Sequence, residues 1–292
     1  MGMADIVPGV SGGTVAFITG VYEKLLQSIS RVDKTFVSHL LSMRIAEAST
    51  YINLKFLVPL GIGIVSAILL MSRLMHYLMN AHAVLTWSLF FGLIVSSIFY
   101  LKNQISAPYQ LKSLAFLGLG TAIGAGIVSL VPVTTPHNFL TVFFAGFIAI
   151  CAMVLPGISG SFILLILGKY TFVTGLLKNP FASDNFLYIF TFVVGCAGGL
   201  LSFSKLIHWL LSNYHDLMIC ILTGFMIGSL KKIWPWKQVL EQKEIGGKTV
   251  VISEANILPP DLSPETLGAL VFMLVGFMTV IGIERISKSK TT

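Results

Sequence analysis

Ala4-Asp5-Ile6-Val7-Pro8-Gly9-Val10-Ser11-Gly12-Gly13 recurs as Ala152-Met153-Val154-Leu155-Pro156-Gly157-Ile158-Ser159-Gly160-Ser161. Each copy runs on through apolar residues to a glycine and a tyrosine, Gly20 and Tyr22 in the first, Gly168 and Tyr170 in the second. Pro8 and Pro156 stand 148 residues apart in a chain of 292, close to half its length. A Pro-Gly-x-Ser-Gly break inside hydrophobic sequence leaves backbone N–H groups unpaired at membrane depth, which is costly unless they line a cavity or meet a ligand. One such break in each half points to a transporter site between repeats.

The composition agrees. Hydrophobic residues make up 55% of the chain and charged ones 11%, with a mean hydropathy of +0.88. Soluble domains carry about a quarter charged residues, so this is an all-α polytopic membrane protein. The net charge of +7 sits in connections between spans rather than on one stripe. That pattern excludes a nucleic-acid partner and suits apposition to anionic lipid headgroups. Cys151, Cys196 and Cys220 lie scattered in apolar sequence without metal-ligand spacing, and read as packing residues. No metal, cofactor or signal peptide is expected.

Six stretches are long and apolar enough to span: 56–79, 83–101, 111–131, 186–211, 217–233 and 266–283. The segments 6–26 and 139–177 contain the breaks, and the second is long enough for two half-spans meeting at Pro156-Gly157, a re-entrant hairpin. Residues 31–55 read as one amphipathic surface helix. Within the polar stretch 234–265, Gly246-Gly247 between two polar arms predicts a small hairpin outside the membrane. Residues 138–151 form an apolar half-helix ahead of the second motif, with no counterpart ahead of the first. The natural protein is therefore expected to begin upstream of Met1.

The duplication continues beyond the motifs. Ser72-Arg73-Leu74-Met75-His76 matches Ser204-Lys205-Leu206-Ile207-His208, and Gly92 matches Gly224 in the same register. Repeat 1 is assigned to residues 1–135 and repeat 2 to 136–292, each a motif segment plus three spans. Two spans and a hairpin that returns to its own side separate the matched spans 56–79 and 186–211, so the repeats have inverted topology. Placing 24–55 in the cytoplasm puts ten Lys and Arg inside and six outside, a modest preference for that orientation.

After Gly12-Gly13 and Gly160-Ser161 a helix begins, with unpaired N–H groups and the positive end of its dipole, both favouring an anion. Glycines let a headgroup approach the backbone. Ser11, Thr14, Ser159 and Ser161 offer hydroxyls, and Pro8 and Pro156 end the preceding half-helix without adding an orphan donor. The expected phosphate cradle is Gly9, Ser11, Gly12, Gly13 and Thr14 with Gly157, Ser159, Gly160 and Ser161. The bland alternative is that these small residues only kink helices and permit close packing. Recurrence in both halves favours a site.

Arg73 and Lys205, at matched positions, are second-rank headgroup partners, with snorkelling to the interface as the competing reading. His76 and His208 follow three residues later on the same helical faces and read equally as proton or phosphate contacts or as interfacial histidines. Asp5, replaced by Met153 in the second copy, is a candidate for a coupling proton or Na+, or for capping the break. Lys169, opposite Val21, reads as a snorkelling lysine.

Over nearly its whole length, and specifically in Asp5-Ile6-Val7-Pro8-Gly9-Val10-Ser11-Gly12-Gly13-Thr14 and Leu155-Pro156-Gly157-Ile158-Ser159-Gly160-Ser161, the chain resembles a bacterial membrane family formerly catalogued as a domain of unknown function. That family is now associated with polyprenyl-phosphate transport. The resemblance implies translocation of undecaprenyl phosphate, the lipid carrier of cell-wall synthesis, across the cytoplasmic membrane, without chemistry and with no catalytic residues. Three rivals stand beside it. An intramembrane serine protease would use a Gly-x-Ser-Gly serine with His76 or His208 as base, although it has no need of two copies. A small-anion carrier would use the same cradle, and a protein without transport activity would use the breaks only for packing.

Overall fold

The computed structural model describes residues 1–6, 10–102, 104–106, 110–133, 135–177, 179–182, 184–245, 248–259, 261 and 263–289. Val7, Pro8 and Gly9, and with them one expected cradle residue, lie outside that set, as does the Gly246-Gly247 turn.

The described chain is mostly helical. It begins with three short helices, α1 (Gly2–Ile6), α2 (Gly12–Ile18) and α3 (Tyr22–Ser30), followed by α4 (Lys34–Leu41) and α5 (Ile45–Tyr51). Three long helices come next: α6 (Leu54–Ala81), α7 (Ala83–Lys102) and α8 (Leu111–Val128). The order then repeats, with α9 (Phe139–Val154), α10 (Gly160–Ile166) and α11 (Tyr170–Leu176) ahead of α12 (Asn185–Asn213) and α13 (His215–Ile233). Strands β1 (Lys237–Ile245) and β2 (Lys248–Asn256) pair antiparallel, as the polar stretch predicts, and α14 (Pro264–Ser289) closes the chain. Among the described residues five helices are long and apolar enough to cross a membrane: α6, α7, α8, α12 and α14. The expected sixth span is α13, which carries Asp216, Lys231 and Lys232 near its ends and buries most of its middle.

The expected single helix over 31–55 is a helical hairpin instead. Met43 takes φ 57°, and the Arg44 N–H reaches back to the His39 carbonyl, which turns the chain between α4 and α5. Asp33 caps α4 by accepting from the Thr35 and Phe36 N–H groups, and its other oxygen takes the Tyr51 hydroxyl at 3.0 Å, tying α5 back to the start of α4. The apolar turn stays outward, with Leu41 81% and Met43 84% exposed, as befits a segment lying on a membrane surface.

The two halves interlock. α7 packs against α14 and α8 against α13. A Cβ on Gly92 would strike the Met273 carbonyl and one on Gly276 the Leu89 carbonyl; likewise Gly120 lies on Ile221 and Gly224 on Leu117. In lipid there is no hydrophobic drive between apolar helices, so such close backbone approach supplies the packing. Matched contacts also recur within each half: Gly2 of α1 lies on Ile64 and Ala67 of α6, as Ile150 of α9 lies on Gly199 of α12. Helix directions follow from the ends. Trp87 and Phe91 early in α7 meet Lys237 and Trp234 just beyond α13, whereas the Ser106 N–H beyond α7 bonds Asp216 at the start of α13. Thus α7 and its sequence counterpart α13 run antiparallel.

Candidate functional site

The two motifs meet in the core. Ser11, fully buried, caps α2 by accepting from the Gly13 N–H at 3.0 Å, and its own hydroxyl lies 3.0 Å from the Met153 carbonyl and 3.3 Å from that of Leu155. In return, the Gly157 N–H donates to Thr14 Oγ1 at 2.9 Å. Each break therefore satisfies polar groups that the other exposes, which is how irregular backbone survives in an apolar interior. Gly157 sits at φ +89°, in the left-handed region, with its Cα hydrogens facing Ser229 Oγ and the backbone of Phe225 and Met226 on α13.

The equivalence of sequence does not extend to the bonding. At the first helix start, the Gly12 N–H donates to Asp5 Oδ1 at 2.7 Å and the Thr14 N–H to the Ser11 carbonyl. A carboxylate of the chain itself thus stands where an external anion was expected, and its second oxygen is buried without a partner among the described residues. At the second helix start Met153 replaces Asp5. Among the described residues Ser159 makes no cap bond there, and its hydroxyl pairs with that of Ser161 at 2.8 Å. Thr14 has Phe162 as its sequence counterpart, so only one half carries the hydroxyl that crosses between motifs.

Of the expected cradle residues, Ser11, Gly12, Gly13, Thr14, Gly157, Ser159, Gly160 and Ser161 are brought into this one region, with Asp5 among them. The second-rank cations are not. Arg73 and His76 are exposed on α6, where His76 pairs with Asn80 at 3.1 Å. Lys205 is exposed on α12, near enough to Asp33 to stabilise its charge. His208 lines a cavity of about 520 Å³ with Glu23, Lys24, Gln27 and Arg31, along α3. Neither Ser11 nor Ser159 has a histidine partner among the described residues.

Lys169 is a correction. It does not snorkel: only 1% exposed, its ammonium turns inward to the carbonyls of Thr135 and Pro136 and to His137 Nδ1 at 3.1 Å, while His137 stacks on Phe172 at 4.2 Å. The Val133 N–H and Thr135 hydroxyl bond Ile166 and Leu167, so the chain entering α9 is fastened to the end of α10. The asymmetry with Val21 was the available signal, but the sequence did not show which way the side chain turns. Tyr22 is likewise buried, its hydroxyl without a partner among the described residues.

The two motifs thus place buried hydroxyls and backbone N–H groups against one another in the core of a multi-pass membrane protein. Comparisons with known proteins bear on that class. A protein of Vibrio cholerae named polyprenyl-phosphate transporter is 41% identical over 292 residues, covering 98% of this chain and 93% of that one. A Staphylococcus aureus protein of the same name is 32% identical over 254 residues, 80% of this chain and 83% of its own. No solved structure matches. A family profile described as undecaprenyl phosphate translocase-like matches residues 1–251, which takes in both motifs and their interlock. This chain therefore belongs to the undecaprenyl phosphate translocase-like family.

Proposed function

We propose that this protein moves a polyprenyl phosphate, in bacteria undecaprenyl phosphate, between the leaflets of the cytoplasmic membrane, returning the lipid carrier for reuse in cell-wall synthesis. The relatives' names support the substrate class. The observation that carries the site is the mutual fastening of the two motifs through Ser11 and Thr14. A phosphate seated there touches both halves at once, so motion of one half against the other exposes it to alternate sides.

The antiparallel run of α7 and α13 supports inverted repeats, divided near residue 135. The tie between 133–135 and the end of α10 supports a re-entrant α9–α10 hairpin. The phosphate binds at the starts of α2 and α10. At α10 the uncapped serines receive it; at α2 it exchanges with the Asp5 carboxylate, because two anions cannot share one N–H cluster. Asp5 is then the group on which a coupling proton or Na+ acts. The α3–α5 face, rich in Lys and Arg, is cytoplasmic.

The test uses the purified protein in liposomes. Leaflet exchange of a short polyprenyl phosphate is followed beside the uncharged polyprenol and inorganic phosphate. Selective acceleration of the phosphate lipid, lost in the Gly12→Val/Gly160→Val double variant, is expected. Uptake of inorganic phosphate without lipid exchange would replace this reading with a small-anion carrier.

A further inference from the structure

A second polar cavity opens at the opposite end from α3, where α8, α10 and α13 finish. It measures about 220 Å³ and is lined by Ser129, Phe162, Leu165, Lys231, Lys232 and Glu254, among others. Among its described residues the cations outnumber the carboxylates. Glu254 Oε1 alone takes Lys232 Nζ at 2.6 Å and Lys237 Nζ at 2.9 Å, while the exposed Lys231 finds only the Ser129 hydroxyl at 2.8 Å among the described residues. Lys232 also lies over the Phe162 ring, and Lys237 over the Trp87 ring. Burial pushes the Glu254 carboxyl up, but the Lys232 hydrogen bond and the Lys237 charge outweigh it and hold the group below its ordinary 4.5.

One wall of this cavity is apolar and open. Leu130 and Val131 line it and remain 54% and 56% exposed. Phe162 and Leu165 of α10 also line it, the first directly after Ser161 in the chain. A cationic pocket beside an exposed apolar strip fits a phosphate monoester on a hydrocarbon chain better than a free ion. The pocket holds the phosphate and some water, and the chain leaves along the strip.

We infer that this cavity is the docking site for the phosphate monoester of the lipid on the β-hairpin face, with Glu254 of β2 as the resident anion that the phosphate displaces from Lys232. This deepens the reading under Proposed function and rests on it for the lipid. The hairpin then closes the cavity when the site is empty. Releasing Glu254 frees two ammonium groups for the incoming dianion.

The displacement predicts opposite signs for two neighbouring variants. Glu254→Gln removes the competitor and should tighten binding of a short polyprenyl monophosphate by about tenfold; Lys232→Gln should weaken it by about tenfold. Lys231→Gln, on an exposed side chain, should weaken it to a smaller degree and guards against a folding defect. Binding is read by tryptophan fluorescence of the whole protein in nanodiscs, because Trp87 and Trp234 adjoin the cluster. Inorganic phosphate and the uncharged polyprenol are titrated alongside. Binding of the lipid phosphate well above that of either control supports the inference. Equal changes in the same direction for Glu254→Gln and Lys232→Gln, with Lys231→Gln inert, would reduce the cluster to a structural staple. If motif-dependent lipid exchange persists while none of the three variants alters binding, this inference falls and the proposed function stands. If the cavity binds phosphate but liposomes show no lipid exchange, the anion site stands and the lipid reading falls.

Discussion

Ser11 and Ser159 occupy the same place in the repeated motif, yet their removal should have unequal consequences. Ser11→Ala deletes the cap of α2, a loss of about 1 kcal/mol. It also deletes the bond to the Met153 carbonyl, about another 1 kcal/mol net. Because the Gly13 N–H and that carbonyl are then buried without partners, the total should reach about 2–3 kcal/mol, at least a 30-fold shift in the folding equilibrium. Ser159→Ala removes only a hydroxyl pair with Ser161 and no cap, so its cost should stay below about 1 kcal/mol. The comparison is made by titrating the purified protein with SDS in mixed micelles and following helix content by circular dichroism. Equal losses, or a larger one for Ser159→Ala, would refute the interlock. The same pair separates the protease rival, in which one serine would be indispensable for activity irrespective of stability.

Three further expectations follow from particular contacts. Gly157→Ala forces a side chain into the left-handed region at φ +89° and places its Cβ 2.9 Å from Ser229 Oγ, so it should cost about 2 kcal/mol in the same titration, whereas Gly61→Ala, inside α6 with open space among the described residues, should not lower the midpoint. Lys169→Met leaves the Thr135 and Pro136 carbonyls without their donor, and hydrogen exchange at the Val133 amide should quicken by roughly tenfold; unchanged protection would mean the lysine does not hold this connection. Asp33 is held below its ordinary 3.8 by the Phe36 N–H first, then by Tyr51, Thr35 and the Lys205 charge. A depressed carboxyl stabilises the folded form fully above pH 3.8 and loses that contribution as the pH falls through its lowered value. Protection of the α4 amides should therefore drop in that acid window in the wild type and be insensitive to it in Asp33→Asn.

Much of this protein is set by local chemistry and is therefore visible in the chain. Apolar runs long enough to span, the proline and glycine that stop them, and a polar stretch folding as a hairpin all depend on residues close in sequence. The repeat was legible too, because both copies solve the same backbone problem with the same residue types. Partnership was not legible. No rule of spacing shows that Asp5 fills the donor end of α2, that Ser11 reaches carbonyls more than 140 residues away, or that Lys169 turns inward where a lysine ordinarily snorkels. The turn at Met43 that folds 31–55 into a hairpin depends on the Tyr51–Asp33 bond closing it, a contact across 18 residues. The cations assembled at the β-hairpin come from α13 and β1 and their carboxylate from β2, and among the described residues that grouping exists only once those elements converge. Sequence determined where the backbone must be rescued from the membrane. The tertiary structure decided which groups rescue it, because in an apolar interior each donor takes the nearest acceptor that folding brings, whichever half supplies it.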